Sequence, residues 1–277
     1  MGRFRRGWEL TGKSWQLLRA NKQLFRLPVY GGLAALVPLA LFVAPGLYFI
    51  DTGDTLLGVA LLVPGAYFAA FATIFFSVGL AVCADELFHG REASVGQGLA
   101  VARSRMPQIA GWTALSTTVG LAVSVIEGQD NVLGTIAAAV IGTAWSLVTF
   151  LAIPVIATEG TGPVATLKRS AELLKSRWGS EVGGNLAIGG AVFLFGMLPA
   201  LLLVAGGVAL WVIDGNGAEI AAGAVLVTIG AVLLILSSLV IQALRQIFGV
   251  ALLRFAGDGE AVGGFSAEEL QSAVRSR

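Results

Sequence analysis

The residues of this chain that could do chemistry are few and gathered in short stretches. The densest is DELFHGRE, where the sole histidine, His89, follows Asp85 by one helical turn and sits among Glu86 and Glu92. One imidazole with carboxylates can ligate a metal, but polar residues that are merely adjacent in sequence at a membrane exit are ordinarily solvated, so no metal site is expected. The sole cysteine, Cys83, cannot form an intramolecular disulfide and reads as a small buried hydrophobe. Gly96-Gln97-Gly98 follows no strand and lacks a P-loop lysine, which removes a phosphate-loop reading. The acidic turn DGNGAE (214–219) is too short for an EF-hand loop.

Polar groups inside apolar sequence form a second set. Ser116, Thr117 and Thr118 interrupt one apolar run, and Gln242 and Arg245 lie in another. These five are the candidates for a polar cavity, although Ser and Thr in membrane helices usually bond back to their own backbone, and Arg245 near a run's end can snorkel to the interface. A nucleophilic serine needs a base, and the runs offer no interior His, Lys or Asp, so serine catalysis is not expected. An enzyme would have to use carboxylates outside the runs, such as Asp85, Glu86 and Glu159. No catalytic, cofactor-binding or metal residues are assigned.

The elements that would position these residues are unusually apolar. Of 277 residues, 56% are hydrophobic and 13% charged, whereas a soluble domain carries roughly 25% charged residues. Apolar runs cover about 27–50, 56–84, 108–126, 132–157, 185–213 and 220–250. All but the third, which approaches it, exceed the roughly 20 residues a helix needs to cross a bilayer with every backbone group paired. The first run is too long for a signal-peptide core and is expected to stay in the protein as a membrane helix. The sequence therefore predicts an all-α membrane bundle of six transmembrane helices in a single domain spanning 1–277. Pro38, Pro45, Pro64, Pro154 and Pro199 predict kinks. Two small-residue series, Gly65-Ala69-Thr73-Ser77-Ala81 and Gly134-Ala138-Gly142-Ser146, predict close helix packing.

Charge is distributed along the chain with strong asymmetry. All 18 Lys and Arg fall in the leader, in the connections after the second and fourth runs, or at and beyond the end of the sixth. The other three connections, DTGDT, EGQDN and DGNGAE, are short and acidic. The positive-inside rule then predicts a multi-pass protein of the cell membrane with both termini cytoplasmic.

The basic segments themselves read as amphipathic helices. TLKRSAELLKSRWG (166–179) carries an apolar stripe at Val164, Leu167, Ala171, Leu174 and Trp178, and FRRGWELTGKSWQLL (4–18) repeats it at Phe4, Trp8, Thr11, Trp15 and Leu18. A weaker copy runs through Val95, Leu99, Ala102, Met106 and Ile109. Each precedes two apolar runs joined by an acidic turn, so the unit is an amphipathic helix plus a membrane hairpin, present three times: about 1–84, 85–157 and 158–256, with a short C-terminal helix at 265–277. Basic faces of this kind attract anionic headgroups of the cytoplasmic leaflet, and Trp anchors at headgroup depth. Arg5, Arg6, Trp8, Trp15, Lys168, Arg169, Lys175, Arg177 and Trp178 are the predicted interface residues. Their aromatics lie on the apolar stripe, which argues against nucleic acid as a partner.

From GRFRRGWELTGKSW through ATEGTGPVATLKRSAELLKSRWG to FGVALLRFAGDGEAVGGFSAEEL, the chain resembles a family of uncharacterised six-pass integral membrane proteins of bacteria and archaea. More distantly, the basic helix with its hairpin is similar to the membrane domain attached to some glycerophosphodiester phosphodiesterases. The resemblance implies a membrane bundle and supplies no catalytic residues. The expected function is non-enzymatic, structural or accessory, acting through membrane lipids, a protein partner or a second copy of the chain. Transport of a small solute or lipid is the alternative, supported by the repeats and proline-broken helices.

Overall fold

The computed structural model describes residue 16 and residues 19–128, 132–178, 197–212 and 217–273. Among them the regular structure is entirely helical. A 3₁₀ turn, Lys22–Phe25, leads into α1, Arg26–Asp51, and a tight acidic turn connects it to α2, Thr55–Phe88. Then follow α3 (Val95–Ser104), α4 (Met106–Glu127), α5 (Val132–Val148), α6 (Ala152–Glu159) and α7 (Pro163–Trp178). The chain closes with α8 (Leu198–Val212), α9 (Gly217–Asp258) and α10 (Ala267–Ala273).

Local chemistry accounts for the boundaries. Asp54 caps α2 by accepting from the Leu57 amide at 3.1 Å, while Gly53, at φ +96, supplies the left-handed residue of the turn. Ser94 and Gln97 form a capping box at the start of α3. In α1, Pro38 precedes a π-turn, Leu39–Val43, in which the Ala44 amide bonds to Leu39 O, five residues back. Pro64, by contrast, lies inside an uninterrupted α2. The run 132–157, predicted as one membrane helix, is two helices here: α5 stops at Val148, and α6 restarts at Ala152 with Pro154 in its first turn. Proline has no amide to donate backwards, and Ser170 of α7 donates to the Val148 carbonyl exposed at the break.

Among the described residues, four helices are long and apolar enough to cross a membrane: Arg26–Asp51, Thr55–Phe88, Met106–Glu127 and the Glu219–Asp258 part of α9. Gly134–Ser146 and Leu198–Leu210 are shorter apolar helices, and the first part of the predicted fifth run lies outside the described residues. Helix α2 is the hub, packing on α1, α3, α4, α6 and α9. The α1/α2 and α8/α9 pairs each close on glycines. A Cβ on Gly58 would lie 2.8 Å from Gly46 O, and one on Gly207 would lie 2.6 Å from Gly223 O. The second hairpin is joined by stacking of Trp112 on Trp145, with ring centroids 6.1 Å apart.

Burial is concentrated at one end of the bundle. Residues 77–84 of α2, Leu151 with most of 152–157 of α6 and most of 243–256 of α9 form a continuous core with Leu24, Leu27, Leu173, Leu174, Phe265 and Leu270. Towards the other end, large apolar side chains face outward, among them Leu41, Leu56, Ile229 and Ile235. Only 6% of the most apolar stretch of α9 is buried, the inverse of a water-soluble fold.

The predicted stripe on α7 is only partly the packed face. Val164 is exposed and Leu167 and Ala171 are half-buried, whereas Thr166, Ser170, Leu173 and Leu174 are buried. Two hydroxyls turn this face inward: Thr166 bonds within the connecting loop, to Thr161, and Ser170 bonds to Val148. The weaker stripe over 95–109 is likewise broken at Arg105, with Ala102 and Ile109 buried and Met106 exposed.

Candidate functional site

The packed end is also where the charged side chains meet. Asp85, in the last turn of α2, receives a two-pronged bond from Arg254 of α9, at 2.8 Å from Nε to Oδ1 and 2.7 Å from Nη2 to Oδ2. The Asp85 side chain is 13% exposed and that of Arg254 25%, so a fork of charge-assisted bonds sits largely out of water. Arg254 Nη1 is also 3.5 Å from Asp258, one turn on. His89 Nδ1 lies 2.8 Å from the Asp85 carbonyl oxygen, and Glu86 pairs with Arg91, raising the guanidinium pKa further above its ordinary value. The Cys83 thiol donates to Ser94 O at 3.3 Å and packs against the backbone of Gly98.

A second ion pair joins α6 to α7, with Arg169 Nε 3.0 Å from Glu159 Oε1. The chain reverses between them at Gly160, φ +63, the left-handed cap of α6. The Arg105 guanidinium lies directly over this glycine: a Cβ there would fall 1.0 Å from Nη1. A cation at a helix C-terminus faces the carbonyls left without amide partners, so Arg105 complements the end of α6.

Between these pairs lies a cleft of about 260 Å³, lined by Thr158 and Glu159 of α6, Arg169 of α7, and Leu253, Arg254, Gly257 and Asp258 of α9. Two guanidinium groups and two carboxylates line it, above the apolar floor given by Leu253. Such a lining can hold an ionic or dipolar ligand by charge-assisted hydrogen bonds.

The structure brings some predicted residues together and separates others. Arg169 lines the cleft, while Lys168 and Lys175 are exposed on α7. Arg177 and Trp178 close α7, but their side chains, like all of Arg5, Arg6, Trp8 and Trp15, lie outside what is described. Among the described residues, the candidates for a polar cavity do not converge. Ser116 bonds to Thr113 O and Thr118 to Ala114 O within α4, and Thr117 is half-buried beside them. Gln242 instead donates across to Ser77 of α2 at 2.7 Å, and Arg245 is exposed on α9. Helices α4 and α9 are not among the pairs that pack extensively, which is why these groups do not converge. Among the predicted carboxylates, Asp85 and Glu159 both reach this end, each bound to its own arginine.

Sequence reasoning missed Arg254 and Asp258 as site residues. Their spacing of one turn was the available signal, but their partner Asp85 is 169 positions away and no local pattern points to it. Residues 57–264 match a family described only as a family of unknown function (DUF6159). No curated protein and no solved structure matches the chain.

Proposed function

The chain belongs to the DUF6159 family of unknown function, and from its geometry we propose an integral membrane protein of the cell envelope that acts without catalysis, through the lipids or proteins met at its ion-paired end. One observation carries this reading: the apolar spans are only 6–17% buried in their most apolar stretches, while the tight core and the ion pairs share one end of the bundle. Exposed apolar helices need hydrocarbon around them, and paired charges need the wet interface beside it. The reading keeps six crossings, the helix-plus-hairpin repeat and both termini in the cytoplasm. It places Arg91, Arg103, Arg105, Lys168 and Lys175 at the inner leaflet, where each nearby basic residue contributes about 1 kcal/mol towards anionic lipid.

A non-catalytic role is favoured because the carboxylates an enzyme would use are already bonded to arginines. Transport is disfavoured because Gln242 is bonded to Ser77 and the α4 hydroxyls to their own backbone.

Topology supplies the test. A membrane-impermeant maleimide applied to intact cells should label Thr52→Cys, whereas Lys168→Cys should react only after permeabilisation. The parent protein, whose Cys83 is buried, serves as the control. Labelling of Lys168→Cys from outside, or release of the protein by alkaline carbonate, would sink the proposal.

A further inference from the structure

We infer that the cleft between α6, α7 and α9 is a binding site for a zwitterionic phosphoamine, a phosphate joined to a primary ammonium, supplied by phosphoethanolamine lipid headgroups. The inference rests on the membrane reading above and adds a ligand class to it. The cleft has two chemically distinct poles. At one, Arg169 commits only its Nε to Glu159, leaving both terminal nitrogens with no partner among the described residues. A guanidinium edge of this kind matches two phosphate oxygens. At the other, Arg254 is already held by the Asp85 fork, so the Asp258 carboxylate, 59% exposed and 3.5 Å from Arg254 Nη1, is only weakly compensated. It can accept from an ammonium.

The formal charges of the lining cancel, two guanidinium groups against two carboxylates. A simple anion would meet Glu159 and Asp258, and a simple cation would meet both arginines, so a dipolar ligand is the one repelled by neither pole. The primary amine matters because it donates hydrogen bonds to a carboxylate, which the methylated ammonium of a choline headgroup cannot do. The volume, about 260 Å³, lies below the range of drug-sized sites and suits a headgroup. Its place also fits: Arg254 lies about one turn beyond the end of the last apolar run, at headgroup depth, with buried Leu253 beneath.

The full-length protein in nanodiscs containing equal parts phosphatidylethanolamine, phosphatidylcholine and phosphatidylglycerol should, on extraction and lipid mass spectrometry, retain phosphatidylethanolamine in excess of its bulk share. Arg169→Gln and Asp258→Asn should each lower that excess by about tenfold or more, the size of one lost charge-assisted bond. Asp258→Asn, which leaves Arg169 less opposed, should shift the choice towards phosphatidylglycerol. Both sites are at least partly exposed, and unchanged circular dichroism and melting temperature would confirm that the variants fold. In lipid-depleted detergent, soluble O-phosphoethanolamine should bind the parent chain in calorimetry and inorganic phosphate should not. Binding of the soluble compound without lipid enrichment would keep the site and assign it to a free ligand. Equal binding of inorganic phosphate, bulk lipid proportions in the parent together with no binding of soluble O-phosphoethanolamine, or unchanged preference in both variants would overturn the inference. A chain that fails to enter nanodiscs would instead remove the membrane reading on which it rests.

Discussion

Within α9, residues 219–240 and 243–256 are both rich in Val, Leu, Ile and Ala, yet they live in different surroundings. The first segment leaves Ile220, Val225, Ile229, Val232 and Ile235 outward; the second buries Leu244, Ile247, Phe248, Val250 and Leu252 almost completely. The same contrast divides α2, where Leu56, Val59 and Val63 are exposed while Val78, Leu80 and Cys83 are buried. Hydrophobicity therefore does not indicate where side chains pack in this molecule. What distinguishes the halves is company. Among the described residues, the buried half is surrounded by α3, α6, α7 and α10, while the exposed half packs mainly on its hairpin partner and, in α2, on α4 through Tyr67.

The contrast is best attacked first at its most buried side chain. Phe248 is fully buried and touches Phe150 and Phe265 edge-on, so Phe248→Ala should cost about 4 kcal/mol. Reversible unfolding in detergent would read this, and a loss below about 1 kcal/mol would show that the packed end is not a true core. Next comes the ion pair. Asp85→Ala leaves Arg254 without its fork and should destabilise by about 2 kcal/mol, with partial recovery in the double variant carrying Arg254→Met. A single variant with unaltered melting would make the pair decorative. Smaller still, Gly160→Ala places a side chain at positive φ against Arg105 and should cost about 1 kcal/mol, together with faster proteolysis at the α6–α7 connection. At the bottom, Leu56→Ala at the 84% exposed position should change stability by less than about 0.5 kcal/mol in detergent. A large effect there would mean that the open half is covered by something protein-like.

Much of this was legible in the sequence, but unevenly. Continuous apolar runs announce α1, α2, α4 and α9 because a span needs length and composition, both local properties. The acidic turn before α2 was equally readable, since Asp54 and Gly53 do there what their types favour. The break between α5 and α6 was not, because Phe150 and Leu151 are as apolar as their neighbours and only Thr149 and Pro154 hint at it. The packed face of α7 was hidden for a related reason. A stripe counts hydrophobic positions, whereas Thr166 and Ser170 are buried by the oxygens they bond. The cleft was the least legible feature, because it depends on α9 returning beside α2 and α6 after most of the chain has been laid down.

The uninterrupted course of α9 has a mechanical side. At 42 residues it is a rod about 63 Å long, roughly twice the thickness of a bilayer's hydrocarbon. Such a rod answers a change in membrane thickness by tilting, and a tilt of about 10° about one end would sweep the other through about 11 Å. The Arg254 fork and the surrounding core clamp the rod at one end, whereas at the other its described partner is α8, so the two would move together. On the membrane reading proposed above, the Asp85–Arg254 pair would be the fulcrum of this rod, the point where strain in surrounding lipid would arrive as torque.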